Sequence, residues 1–401
     1  MDDLINAIKN GIDVKLCHFS IGDLLCKFTF EDYSIYIEAE SKNFIDSECE
    51  INLTSKSKMH NISMDVLIKT SGDFYFNGIV KNCLISDAKI NDSLINRITY
   101  VLSGLHSRFY RVTSKWSREY VINDLLYIVE YTLIGNRIQA NILSPMRFDN
   151  FDKLSKFIED EIFVICLMYS FCNSNKVEWV FRYTSKDDTI ILFEHIHSST
   201  KNNDFNEITP FRTDVCLLQR FMTHVIDNKY KKSDLIKNKI YPIICNLQWN
   251  AQSVGEWDFI SLVASLEGFC KKRENIISHR AFKKIKKEIK KTLKLNNINN
   301  EQIFTNIDNN EKIINSYPVK VQIDKKLEEL NLKLPYDIND LINTRNKIVH
   351  EGWYDGEFDC ISKIEEIRNV IFLLLFSYFE YKGDFYLFRN SNKDNLANYE
   401  K

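Results

Sequence analysis

Thr344-Arg345-Asn346-Lys347-Ile348-Val349-His350-Glu351-Gly352-Trp353 is the stretch on which the fold of this chain turns. Outward from it, apolar residues recur at Ile338, Leu341, Ile342, Ile348, Val349 and Trp353, a helical stripe with a period of about 3.6. Asp337, shortly after Pro335, suits the N-cap, and Gly352 is expected to end the helix. Arg345 leaves from the middle of the stripe. A guanidinium keeps its charge, and burying it unpaired is costly. Either a carboxylate meets it or this face receives an anion. Asn346 and His350, four apart, share a flank. An Arg, an amide and a His gathered at one helix end suit phosphate chemistry.

The 401 residues leave room for two domains, and a formal charge of -2 confines any attraction for nucleic acid to a local patch. The 10 cysteines include no C-x-x-C pair. Most, including Cys166, Cys216, Cys245 and Cys270, sit in apolar runs, as reduced core thiols do. The start, Met1-Asp2-Asp3, carries no signal-peptide pattern. The longest apolar runs, 162–172 and 370–376, fall short of the ~20 residues that span a bilayer. A soluble cytoplasmic protein with no membrane contact is expected.

The first half reads as strand. Val14–Phe19, Leu24–Phe30, Tyr33–Glu38, Met64–Lys69, Asp73–Val80, Leu125–Leu133 and Arg137–Leu143 are β-prone segments broken by polar turns. Ile134-Gly135-Asn136 marks a hairpin. One helix interrupts, Phe151 to about Phe171, before strands Val177–Tyr183 and Thr189–His195. Polar chain around Lys201–Thr209 marks the domain boundary. Beyond it the pattern is helical: Val215–Asn228, Lys232–Gln248, Trp257–Arg273, the Arg345 helix, and Ile361–Tyr381. The Asn-rich stretch up to about Lys320 is expected to be loosely structured. Successive amphipathic helices make a bundle.

Spacing alone does not single out Arg345 and His350. An Arg followed by a His after four to six residues arises by chance in roughly 0.8 places in such a chain, and Arg273 with His279 is a second occurrence. Context favours the first, and the residues leave open a site or a structural Arg paired with a buried acid. His195 and His197 lie two apart on a strand, but no Cys or acid at ligand spacing joins them into a metal site. Lys271 to Lys294 holds 11 Lys or Arg against Glu274 and Glu288. It reads as an electrostatic track for RNA or as a solvated helix face. Lys283, Lys284, Lys286 and Lys287, with Lys347 on the Arg345 helix, are the candidate RNA contacts.

A helical bundle whose third main helix carries Arg-Asn-x-x-x-His resembles the HEPN superfamily. Trp257-Asp258-Phe259 running on to Ser265-Leu266-Glu267-Gly268-Phe269 is similar to the early helix of its ApeA-like group, and Arg345-Asn346-Lys347-Ile348-Val349-His350-Glu351-Gly352 to that group's signature. The likeness covers roughly residues 210 to 385, and the β-rich half is similar only in layout. It implies an α+β protein in which a β-rich sensor or regulatory domain, 1–205, precedes an all-α HEPN bundle, 206–401. The implied activity is a metal-independent endoribonuclease of the abortive-infection, antiphage type, needing no cofactor. RNA, with tRNA a common target of such nucleases, supplies its own 2′-hydroxyl nucleophile. His350 then moves protons, Arg345 holds the scissile phosphate, and Asn346 bonds the phosphate or orients the histidine. Glu267 is a candidate to position Arg345 or His350, set against a plain i,i+4 pair with Lys271. The family pattern further implies a homodimer through the bundle and a phage-derived trigger for the first domain. The rivals are a non-catalytic HEPN protein that only binds RNA or a partner, and an antitoxin or scaffold whose activity lies in a partner.

Overall fold

A computed structural model describes residues 14–21, 24–31, 34–40, 50–56, 60–71, 75–87, 96–122, 124–143, 151–186, 189–196, 209–212, 214–249, 255–270, 276–309, 317–351, 360–388 and 393–400. The chain divides into two compact units, Met1–Leu235 and Ile236–Lys401. Strands dominate the first and helices the second, so the class is α+β.

Among the described residues, twelve antiparallel strands form one sheet in the first unit. They are β1 (Val14–Ile21), β2 (Leu24–Glu31), β3 (Ser34–Glu40), β4 (Glu50–Lys56), β5 (His60–Ser71), β6 (Tyr75–Asp87), β7 (Arg97–Ser103), β8 (Thr113–Ile122), β9 (Leu125–Ile134), β10 (Arg137–Ile142), β11 (Glu178–Lys186) and β12 (Thr189–Ile196). The long β6 organises them. One of its edges pairs with β5, while the other is shared between β3, at Tyr75–Ile79, and β12, at Asn82–Ser86. The sheet therefore forks beside Val80 and Lys81. In one branch β1 comes round to approach β4; the other runs β12-β11-β7-β10-β9-β8. Gly78 permits the β5–β6 approach, since a Cβ there would stand 2.6 Å from Val66 Cγ1 and 2.8 Å from the Leu67 carbonyl oxygen.

Alternation sets the faces. Tyr127, Val129, Tyr131 and Leu133 of β9 and Ile138, Ala140 and Ile142 of β10 point into the core. Their hairpin turns on Gly135, whose φ of 61° is the left-handed conformation such two-residue turns require. Helix α1 (Phe151–Asn173), buried continuously from Val164 to Cys172, packs on β11. Helix α2 (Val215–Asp227) packs on α1 and β8. Its Phe221 ring lies 5.6 Å from Phe171 and 5.2 Å from Phe211. Arg118 of β8 pairs with Glu161 of α1 at 2.9 Å and donates to the Ile226 carbonyl in the last turn of α2, where a cation is favoured. These contacts place α2 with the sheet. The boundary lies between Leu235 and Ile236, later than the 205/206 division expected from the polar stretch.

Helix α3 (Lys232–Lys237) straddles that boundary, and α4 (Ile240–Trp249) follows. The single helix expected from Lys232 to Gln248 breaks because Lys239 adopts φ 61°. Helix α5 (Glu256–Gly268) is the hub of the second unit. It buries Phe259, Leu262, Val263 and Leu266, and α4, α8 (Val319–Glu329), α9 (Ile338–Glu351) and α10 (Cys360–Tyr378) all pack against it. Buried Ser265 is satisfied by donating to the Ser261 carbonyl and accepting from Asn246 at 2.8 Å. Between α5 and α8 lie α6 (His279–Leu295) and α7 (Glu301–Asn309). The Asn-rich stretch expected to be loose is thus helical over Glu301–Asn309, and its residues 310–316 lie outside the described residues. Asn300 starts α7 by accepting from the Gln302 amide at 2.9 Å. Among the described residues no helix is long and apolar enough to cross a membrane.

Candidate functional site

Helix α9 begins on Asp337, whose Oδ1 accepts from the Asn339 amide at 2.8 Å. Ile338, Leu341, Thr344 and Ile348 turn into the bundle. This buried stripe is narrower than expected: Ile342 is half-buried and Val349 is 45% exposed. Gly352, Trp353, His197, Lys271 and Arg273 lie outside the described residues.

Helix α10 fixes α9 in place. Buried Asn369 donates through Nδ2 to Tyr336 Oη at 2.6 Å, just before α9, and accepts from the Phe388 amide at 2.8 Å. The Lys363 ammonium bonds Asp340 of α9 and, at 2.9 Å, Glu366 of its own helix.

Arg345 emerges half-buried on the open flank of α9. Its Nη1 donates to Asn346 Oδ1 at 3.0 Å, and no ion pair joins it to a carboxylate among the described residues. Asn346 is half-buried and His350 exposed. With ~100° of helix per residue, the three fan across roughly 140° with Asn346 in the middle. A guanidinium, an amide and an imidazole are therefore presented together, with the imidazole at the wet end. Lys347, exposed, lies roughly 200° round the helix from Arg345 and so on its far side.

Glu267 is half-buried in the last turn of α5, and neither a hydrogen bond nor an ion pair connects it to Arg345 or His350. Its charge acts instead on Cys270: burial pushes that thiol up to about 11, and Glu267 adds to the effect. On α6, Lys283, Lys284 and Lys287 are exposed, whereas Lys286 pairs with Asp308 of α7 at 3.3 Å. His195 is fully buried in β12 with its ring 4.9 Å from Phe181. Among the described residues no three His, Cys, Asp or Glu side chains gather where a metal ion could sit.

The sequence reading missed Arg368 and Asn369. Arg368 is 2% exposed on α10. Burial pulls its guanidinium down to about 10, against the opposing influence of Asp258 and Glu365. The available signal was a charged residue and an amide standing immediately before the apolar run Val370–Phe376. Polar groups so placed are buried, and buried polar groups hold something together. Compared with protein-family models, with curated proteins and with solved structures, the chain gives no match.

Proposed function

We propose that the helical unit is a HEPN-type, metal-independent endoribonuclease with Arg345, Asn346 and His350 at its site. One observation carries the reading: Arg345 is half-buried and, among the described residues, bonded to an amide rather than a carboxylate. A half-buried cation without a carboxylate suits an anion from outside, and a phosphodiester is such an anion.

The reaction needs a proton acceptor, a proton donor and a cation on the phosphate. The ribose 2′-oxygen attacks the adjacent phosphorus, the bond from phosphorus to the 5′-oxygen breaks, and a 2′,3′-cyclic phosphate and a 5′-hydroxyl result. One histidine takes the 2′-hydroxyl proton and a second protonates the leaving oxygen. Arg345 bonds the non-bridging oxygens, on which charge grows in the transition state. One chain offers a single His350, so a second copy meeting the first at this face supplies the other. The β-rich unit answers a phage-derived trigger and holds the nuclease in check, and tRNA is the first substrate to test.

The rival reading, a bundle that binds RNA or a partner without cutting, draws on the absence of any bond from Glu267 to Arg345 or His350. Inducing wild type, Arg345→Ala and His350→Ala in bacteria, with and without phage, separates the two. The nuclease predicts that wild type cuts RNA and arrests growth, while both folded variants do neither. Variants that behave as wild type refute the site. RNA binding with no cleavage by any form favours the rival.

A further inference from the structure

Helices α6 and α7 stand apart from the α5-centred packing, since α6 makes no extensive contact with any other helix among the described residues. What joins α6 to α7 is chiefly its lysines. Phe282 is 7% exposed, Leu293 is half-buried, and the ammonium groups of Lys290 and Lys294 lie 6.0 and 5.5 Å from the Phe304 ring. Asp308 of α7 draws Lys286 and Lys290 to the same side, at 3.3 and 2.6 Å. The remaining cations are thereby sorted outward. Arg280, Lys283, Lys284, Lys287 and Lys291 are all exposed, and none forms an ion pair among the described residues.

These five residues make one rigid file along roughly 16 Å of helix axis, at least one cation to each turn. Arg280 and Lys284, Lys283 and Lys287, and Lys287 and Lys291 are like-charged pairs four apart, which repel. A polyanion laid along the file removes that repulsion and releases its own counterions. Two features choose among polyanions. Single-stranded RNA is held by stacking its bases on exposed aromatic rings, and the aromatic residues of this pair are the buried Phe282 and Phe304, which lies beneath two lysines. An anionic lipid surface takes up a broad apolar face, whereas the exposed apolar side chains of α6 are the narrow strip of Ile285 and Ile289, 48% and 44% exposed, with Leu295 at the helix end and Ile303 on α7 besides.

We propose that the outward file of α6 grips the phosphate backbone of a duplex segment of RNA. This deepens the nuclease reading and rests on it for the choice of RNA: the substrate is structured, with a paired arm on α6. The test is binding, not cleavage. Full-length protein carrying His350→Ala is titrated with an RNA duplex of roughly 16 base pairs, with an unstructured strand of the same length, and with phosphatidylserine-containing vesicles. A companion protein adds Lys283→Gln, Lys284→Gln, Lys287→Gln and Lys291→Gln, and another replaces the same four with Arg.

The duplex is expected to bind best. The Gln set weakens it more than tenfold and reduces the slope of log affinity against log salt by about 3. The Arg set, which keeps the charge, restores both. An unchanged affinity and slope in a Gln set with wild-type circular dichroism overturns the proposal, as does a preference for the single strand or binding of vesicles alone. Duplex binding through α6, when the protein with His350 intact cuts no RNA, sinks the nuclease and leaves the grip standing. Cleavage by the protein with His350 intact that is indifferent to the same four Gln substitutions does the reverse.

Discussion

Replacing Asn369 with Ala removes the amide that joins α10 to the start of α9 and to Phe388. The side chain is 1% exposed, donates to Tyr336 Oη at 2.6 Å and accepts from the Phe388 amide at 2.8 Å. Its loss strands two groups. A buried donor or acceptor left without a partner costs about 1–3 kcal/mol. Tyr336 and Phe388 are only half-buried, so water partly replaces the amide and the sum falls at about 2–3 kcal/mol. For a unit of this size each kcal/mol moves the melting temperature by about 2–4 °C. The helical unit should therefore melt about 4–12 °C lower, read by differential scanning calorimetry of the full chain. Tyr336→Phe deletes one of the two bonds and should cost about 1 kcal/mol. In the double variant the two losses overlap, and the cycle should show a coupling of about 1 kcal/mol. A loss below about 1 kcal/mol for Asn369→Ala, or a coupling near zero, would refute Asn369 as the anchor of α9.

Gly78→Ala should destabilise the sheet unit by about 2–3 kcal/mol, because the new methyl meets Val66 and the Leu67 carbonyl at 2.6 and 2.8 Å and must force β5 from β6; a melting temperature within a degree of wild type counts against so tight a pairing. Arg368→Met should keep the stability of the helical unit to within about 1 kcal/mol, since burial of the guanidinium outweighs the help of Asp258 and Glu365 and those carboxylates, half-buried, hydrate when it is gone. A denaturation midpoint showing a loss above about 3 kcal/mol would mean that the acids depend on it.

Elements whose residues alternate or follow a helical period were legible. The β9–β10 hairpin shows alternate burial along both strands and a glycine at the turn. The strands β4, β7 and β8 were missed for three separate reasons. Glu50–Lys56 and Thr113–Ile122 carry mostly polar side chains, as edge strands can. Arg97–Ser103 is buried on both faces after its first residue, so it shows no alternation. The break at Lys239 was invisible because a lysine gives no warning that it will adopt a left-handed conformation. The boundary moved for a tertiary reason: the apolar face of α2 fits a sheet or a bundle equally well until Phe171 and Phe211 claim it.

Arg345 and Arg368 show why the candidate site was only half legible. Each follows an apolar stripe and each precedes an asparagine, so the local pattern treats them alike. The difference lies in what surrounds them. Arg368 is enclosed on α10 within the influence of two acids, and its neighbour Asn369 spends its hydrogen bonds on Tyr336 and Phe388. That pair is committed to the fold. Arg345 stands at the border of a stripe that half-buried Ile342 and exposed Val349 leave narrower than the periodicity suggested, and Asn346 spends its oxygen on Arg345 itself. That pair faces outward with its charge uncancelled by any carboxylate among the described residues. The same two residue types thus serve as a bolt on one helix and, in the function proposed above, as an anion seat on another, and the packing around α5 is what separates them.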